Sequence, residues 1–361
     1  MNERRKTRQI HVGDVAIGGD APVVVQSMTT TKTDDVEATL EEIHRLEEAG
    51  CEIVRVAVPR ERDARALSRI RARMKVPLIA DVHFDYRMAL MSLDAGADCI
   101  RLNPGNIGSR DRVEEVTRAC RERNVPIRIG VNAGSLEQDL LDRYGYPTAE
   151  AMVESAERHI AILESLDFHD IKISIKASGV PLMVEAYRLL SSRVDYPLHL
   201  GVTEAGIPPS GTIKSAIGIG MLLAEGIGDT IRVSLTADPV EEVEAAYDIL
   251  RALNIRAKGA MIVACPTCGR IEVDLFKLVD EAKARLAHIE APITVSILGC
   301  AVNGPGEARE ADIGIAGGKN GGLLIHRGEV IGKYGEGELV DRLVEAAEAL
   351  EAGEDLATRV A

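Results

Sequence analysis

Short apolar runs recur along the chain at fairly regular intervals, each followed by a stretch of helical length. The runs are 22–28 (PVVVQSM), 52–58 (EIVRVAV), 77–83 (PLIADVH), 99–104 (CIRLNP), 126–132 (PIRIGVN), 170–177 (DIKISIKA), 197–204 (PLHLGVTE) and 230–236 (TIRVSLT). Between them, apolar residues fall three to four apart, as in 35–49 and 213–225. Strand patterns alternating with helical ones predict parallel βαβ units. Eight such units over roughly 230 residues match a (β/α)8 barrel. A doubly wound sheet would usually have fewer strands and a glycine-rich turn after the first, and no such turn follows Met28. Ahead of the barrel, 9–19 (QIHVGDVAIGG) predicts a hairpin turning at Gly13-Asp14, placed to plug the barrel bottom.

The pattern changes near Lys258-Gly259. A strand (260–264), a helix (274–288), a strand (293–298), a glycine-rich stretch, a hairpin (323–334) and an acidic helix are predicted there. The expected organisation is therefore a barrel over 1–257 and a smaller α/β domain over 258–361. Residues 260–361 hold 10 Lys and Arg against 17 Asp and Glu, half of the chain's net charge of −14.

That charge argues against a protein that coats nucleic acid through its phosphates. Aromatic residues make up 3% of the 361 and Trp is absent, so stacking platforms for single strands are scarce. No apolar run is long enough to span a membrane. The basic start MNERRKTR has no apolar stretch behind it, which predicts no signal peptide and a cytoplasmic protein.

In a (β/α)8 barrel, chemistry gathers at the C-terminal ends of the strands. Here those ends carry Arg55, Asp81, His83, Arg101, Asn103, Arg128, Asn132, Lys172, Ser174, Lys176, Thr203, Glu204, Arg232 and Ser234. Side chains alternate faces along a strand, so several cations converge on one space. Buried cations are costly unless paired, and Asp81 and Glu204 are too few to neutralise them. The pattern predicts a phosphate or diphosphate pocket, since arginine forks match phosphate oxygens. Lys176, nearer the open end than Lys172, is the expected lysine contact. Glu204 is placed to deliver a proton or to pair with the arginines.

Six cysteines divide into two groups. Cys51, Cys99 and Cys120 sit singly in apolar or helical contexts and are expected to pack. Cys265 and Cys268 form Cys-Pro-Thr-Cys after one apolar run, and Cys300 follows another, with Asn303-Gly304-Pro305-Gly306-Glu307 close behind. A redox CxxC pair leaves Cys300 unused. A structural zinc site wants a fourth soft ligand that the spacing does not offer. An iron–sulfur cluster accepts three cysteines, with Glu307 as a carboxylate fourth ligand. All three readings stand on spacing alone.

The strings ACPTCGR, LGCAVNGPGEA, GVTEAG, EGIGDTIRVSLTADP and VQSMTTTKTDD resemble the bacterial 4-hydroxy-3-methylbut-2-enyl diphosphate synthase family, in its short form, along essentially the whole chain. The resemblance implies a [4Fe–4S] cluster on Cys265, Cys268, Cys300 and Glu307. It implies reductive ring opening of 2-C-methyl-D-erythritol 2,4-cyclodiphosphate, with electrons from ferredoxin or flavodoxin. Diphosphate contacts carry over onto Arg55, His83, Arg101, Arg128, Asn132, Lys176, Arg232 and Ser234, and the proposed acid onto Glu204. It also implies a head-to-tail homodimer. A zinc-bearing barrel that binds a phosphorylated metabolite without redox chemistry is the alternative.

Overall fold

The computed structural model describes residues 2–300, 306, 308–354 and 356. The chain forms two compact units, Met1–Arg256 and Ala257–Ala361.

In the first unit, eight parallel strands follow the predicted runs: β3 (Val24–Met28), β4 (Ile53–Ala57), β5 (Leu78–Asp81), β6 (Cys99–Arg101), β7 (Ile127–Asn132), β8 (Ile171–Lys176), β9 (His199–Leu200) and β10 (Thr230–Ile231). The ladder runs β8-β7-β6-β5-β4-β3-β10-β9. The ring closes through the parallel bridge of Ile173 with Leu198, where the Ile173 N–H donates to the Pro197 carbonyl at 3.0 Å. The last two strands are shorter than the 197–204 and 230–236 patterns suggest. Past Leu200 and Ile231 the ladder gives way to isolated backbone bonds, from Arg232 N–H to Leu200, from Thr203 N–H to Ala177 and from Thr236 N–H to Gly206, as the chain turns into the loops of the open end.

The connecting helices show why the apolar spacing works. In α1 (Val36–Glu48), Val36, Leu40, Ile43 and Leu46 are buried along one face. The Asp35 carboxylate caps it by accepting from the Ala38 N–H at 3.3 Å.

The N-terminal hairpin, β1 (Ile10–Val12) with β2 (Val15–Ile17), packs Ile10, Val12 and Ile17 against Val24, Ile53, Ile79 and Cys99. These barrel residues lie at or near the starts of their strands, so the hairpin seals the end opposite the chemistry, as predicted.

The second unit has a five-stranded sheet in the order β11 (Met261–Ala264), β12 (Thr294–Leu298), β13 (Ile313–Gly318), β14 (Gly321–His326) and β15 (Glu329–Tyr334). Its first three strands are parallel and the remaining pairs antiparallel. Helices α10 (Leu275–Arg285) and α11 (Leu339–Glu351) pack on it through Leu278, Ala282, Leu339 and Leu343. The glycine-rich stretch proves to include β13. Glycine weakens a strand signal, yet a Cβ on Gly314 would meet Ser296 Oγ at 1.8 Å, so the close approach of β12 demands it. No helix of the described residues is long and apolar enough to cross a membrane.

Candidate active site

The barrel strands deliver their cations to one pit. Ladder register pairs Asp81 with Arg101, Arg101 with Arg128, and Arg128 with Lys172. Arg101, Arg128, Lys172 and Lys176 are buried, and Arg55 and Arg232 nearly so. Asp81 lies 3.6 Å from Arg55 and 3.2 Å from Arg101. Its carboxylate is also 3.4 Å from His83, whose exposed ring contacts the Arg101 guanidinium at 3.0 Å. Burial alone would raise the Asp81 carboxyl, but Arg55, His83 and Arg101 outweigh it and hold it well below the usual carboxylate range.

The second acid of the pit is Glu242, on α9 (Pro239–Ala252). It lies 3.4 Å from Arg232 and accepts from Ser27 Oγ at 3.0 Å and from the Leu235 N–H at 2.9 Å. Glu204 does not take this part. It is exposed in the loop after β9, with a left-handed backbone (φ 52°), a costly conformation for a residue with a Cβ. Glu242 was missed because it falls among the apolar-face positions of its helix, beside Val243 and Ala246. A glutamate at such a position is itself the signal that could have found it.

The pit thus holds six arginine and lysine side chains and two carboxylates. Among the described residues, Nε and Nη1 of Arg128 are buried and without a hydrogen-bond partner. Lys172 reaches only the Gln26 side-chain oxygen, at 3.5 Å. Burial pushes the Lys172 ammonium down to about 7, and that of Lys176 well below the usual lysine value. Buried donors in such excess call for an anion. Asn132, half-buried, stands in register with Lys176, and Ser234 is half-buried two residues beyond Arg232. Asn103 is turned to β7 instead, clamping Gly130 through its carbonyl and N–H at 2.9 and 2.8 Å.

Three neighbouring loops are held by two buried groups that the sequence reading did not single out. Glu42 gathers the N–H groups and hydroxyls of Thr30 and Thr31 at 2.7–3.1 Å, which accounts for the threonine run after β3. His159 accepts from the Gly105 N–H at Nδ1 (3.1 Å), so its proton is on Nε2, which faces Glu137 at 3.3 Å. That pair ties the loops after β6 and β7.

In the second unit, β11 and β12 run parallel with Ala264 opposite Ile297, so Cys265 and Cys300 follow the same ends of adjacent strands. The Gly299 N–H donates to Cys265 Sγ at 3.3 Å. Cys268 is exposed, and hydrogen bonds from Arg270 lower its thiol. Among the described residues, no three His, Cys, Asp or Glu side chains form a group able to hold a metal ion. Glu307 lies outside the described residues. The donor set nonetheless suits thiolate ligation of an iron–sulfur cluster, because the N–H···S bond to Cys265 and the exposed, easily ionised thiol of Cys268 favour it. Cys51, Cys99 and Cys120 are buried, as expected of packing residues.

Residues 7–247 match the family model described as the GcpE TIM-barrel domain, and residues 261–349 that of the GcpE protein C-terminal domain. Similar curated proteins carry the name 4-hydroxy-3-methylbut-2-en-1-yl diphosphate synthase (flavodoxin). The one from Symbiobacterium thermophilum is 61% identical over 96% of this chain and 94% of its own length. That from Geobacillus kaustophilus is 59% identical over 94% and 91%, and that from Geobacter sulfurreducens 59% over 96% and 98%. Among solved structures, a dihydropteroate synthase from Xanthomonas albilineans aligns with TM-score 0.49 and 16% identity, over 69% of this chain and 99% of that one.

Proposed function

The chain belongs to the GcpE family, and on that premise we propose that it is an enzyme of non-mevalonate isoprenoid synthesis. It reductively opens 2-C-methyl-D-erythritol 2,4-cyclodiphosphate to (E)-4-hydroxy-3-methylbut-2-enyl diphosphate. The observation that carries this reading is the pit of six arginine and lysine side chains and two acids, with two buried Arg128 nitrogens unpartnered among the described residues. A cyclic diphosphate supplies the missing negative charge. The names of the relatives support this reading rather than a zinc-bearing barrel without redox chemistry.

In this reading the barrel unit binds substrate. Arg55, Arg101, Arg128, Lys176 and Arg232 neutralise the diphosphate, while His83, Asn132 and Ser234 orient it from the rim. Asp81 and Glu242 hold the arginines fixed before substrate arrives, so little reorganisation is needed on binding. Glu204, exposed in the loop after β9, delivers a proton to the oxygen that departs as water. The smaller unit would hold a [4Fe–4S] cluster on Cys265, Cys268 and Cys300, with Glu307 as its fourth ligand. Such a cluster supplies the two electrons, one at a time, for breaking the C–O bonds.

Flavodoxin is the proposed donor, as the relatives' names suggest. The working form is a cytoplasmic head-to-tail homodimer. Ile213, Ile217 and Met221 support self-association: they lie four apart along α8 (Ser210–Ala224) and are all exposed, an apolar stripe that a second copy would cover.

The test is anaerobic reconstitution followed by turnover of the cyclic diphosphate with reduced flavodoxin. About four irons per chain, broad visible absorbance and formation of the linear diphosphate are expected, all lost in Cys300→Ser. One zinc per chain with no turnover would overturn the reading.

A further inference from the structure

We propose that filling the barrel pit with a doubly charged phosphate group is coupled to uptake of a proton by the protein, and that Lys172 receives it. The proposal rests on the reading of the pit as the cyclic diphosphate site, and it concerns a residue to which that reading assigns no contact. Lys172 lies four residues before Lys176 on β8, about 13 Å back along the strand at the usual rise, and in register with Arg128.

Its surroundings explain why its charge is conditional. Fully buried, the ammonium reaches the Gln26 side-chain oxygen on β3 at 3.5 Å and is level with Arg128 on β7, and the other groups electrostatically coupled to it are Arg55 on β4, Cys99 on β6, His199 on β9 and Asp229 just ahead of β10. Asp229 is the acid of this set, and it is already engaged. Its Oδ1 takes Arg4 at 2.8 Å and Thr7 at 3.1 Å, and its Oδ2 takes the Leu198 N–H at 2.8 Å. The other neighbours are cationic or neutral.

An arginine keeps its proton at any working pH, whereas a buried lysine gives its proton up. The overcharging of the empty pit therefore falls on the lysines. Burial, with Arg128 and Arg55 acting in the same direction, sets Lys172 near neutrality. At pH 8 it is mostly uncharged in the empty protein. A dianion seated against Arg128 reverses the local field and favours the ammonium form. The proton comes from solvent, and no bond is made or broken in the ligand. Below about pH 6 the lysine is already charged, so uptake at this position vanishes there.

Titration calorimetry tests this with the anaerobically prepared holoenzyme and 2-C-methyl-D-erythritol 2,4-cyclodiphosphate, without reductant, so that no turnover occurs. The measurement is made at pH 8 in Tris and in HEPES, whose ionisation heats differ. The cyclic diphosphate has no proton to exchange near this pH, so the buffer-dependent heat counts protons taken up by the protein. Wild type is expected to take up roughly one proton more per site than Lys172→Met or Lys172→Arg, with the gap closing at pH 6. The Lys172→Arg variant keeps a permanent charge, which guards against a Lys172→Met protein that fails to fold. Equal proton counts in wild type and Lys172→Arg, with binding intact, overturn the proposal and leave the substrate reading standing. Absence of binding by wild-type holoenzyme overturns both.

Discussion

The guanidinium of Arg101 lies against Gly130 so closely that a Cβ there would sit 2.7 Å from its Nε and 2.9 Å from its Nη2. The glycine on β7 makes the space into which the arginine on β6 folds. Gly130→Ala is therefore expected to displace Arg101 from Asp81 and raise KM for the cyclic diphosphate tenfold or more, roughly the worth of one charged hydrogen bond. Unchanged KM in a folded variant would show that Arg101 does not bind substrate.

Arg128 should trade stability for binding. Its charge is buried, its Nε and Nη1 are unpartnered, and Arg55 and Arg101 repel it. Replacing a poorly compensated buried ion by an apolar side chain is often stabilising, by about 1–3 kcal/mol. Arg128→Met is expected to melt at or above the wild-type temperature while losing affinity for the cyclic diphosphate by about a hundredfold. A lower melting temperature would mean that the ion is compensated after all.

Thiol chemistry separates the two cysteine groups. Burial raises the thiol of Cys51 to about 12, that of Cys99 to about 11 and that of Cys120 further still, so these three hold little thiolate at neutral pH. In the metal-free protein, a disulfide reagent should label Cys265, Cys268 and Cys300 quickly and the other three only on unfolding. Cluster loading should protect the fast set. Rapid labelling of Cys99 would contradict its place beneath the barrel.

Glu137 gives a pH-dependent contribution. The His159 Nε2–H bond holds its carboxyl down to about 2, against an ordinary value of 4.5. A depressed carboxylate stabilises the fold above the unfolded value and loses that effect as pH falls from about 4.5 toward 2. Glu137→Gln should be about 1–2 kcal/mol less stable than wild type to urea at pH 7, and nearly equal to it near pH 2.5. A difference that persists at low pH would assign the loss to packing.

Glu204 is expected to act on the rate. Glu204→Gln keeps the size and loses the proton, so kcat should fall by about a hundredfold or more with KM changed much less. Equal losses in both would make Glu204 a binding residue.

Much of this was legible because it is local. Alternating apolar runs located all eight barrel strands, since a strand and its amphipathic helix are set by neighbours within a few residues. Arginines within such runs announced a charged interior, because a cation at an inward position must have a partner. Glu242 and Gly314 were not legible. One is an acid among apolar helix positions and the other a glycine in a strand, and each makes sense only against a residue that another element brings to it, Arg232 and Ser296 respectively.

The sequence by itself determined the barrel, the hairpin that closes its base, the pool of basic side chains on its strands and the spacing that sets three cysteines apart from the other three. Only the tertiary structure decided how that charge is balanced. It paired Arg55 and Arg101 with Asp81 and Arg232 with Glu242, left Glu204 in solvent, and left Arg128 without an acid. The reason is physical: a residue type fixes the charge a side chain can carry, while burial and the distance to other charges, which exist only once the barrel closes, fix the free energy of carrying it.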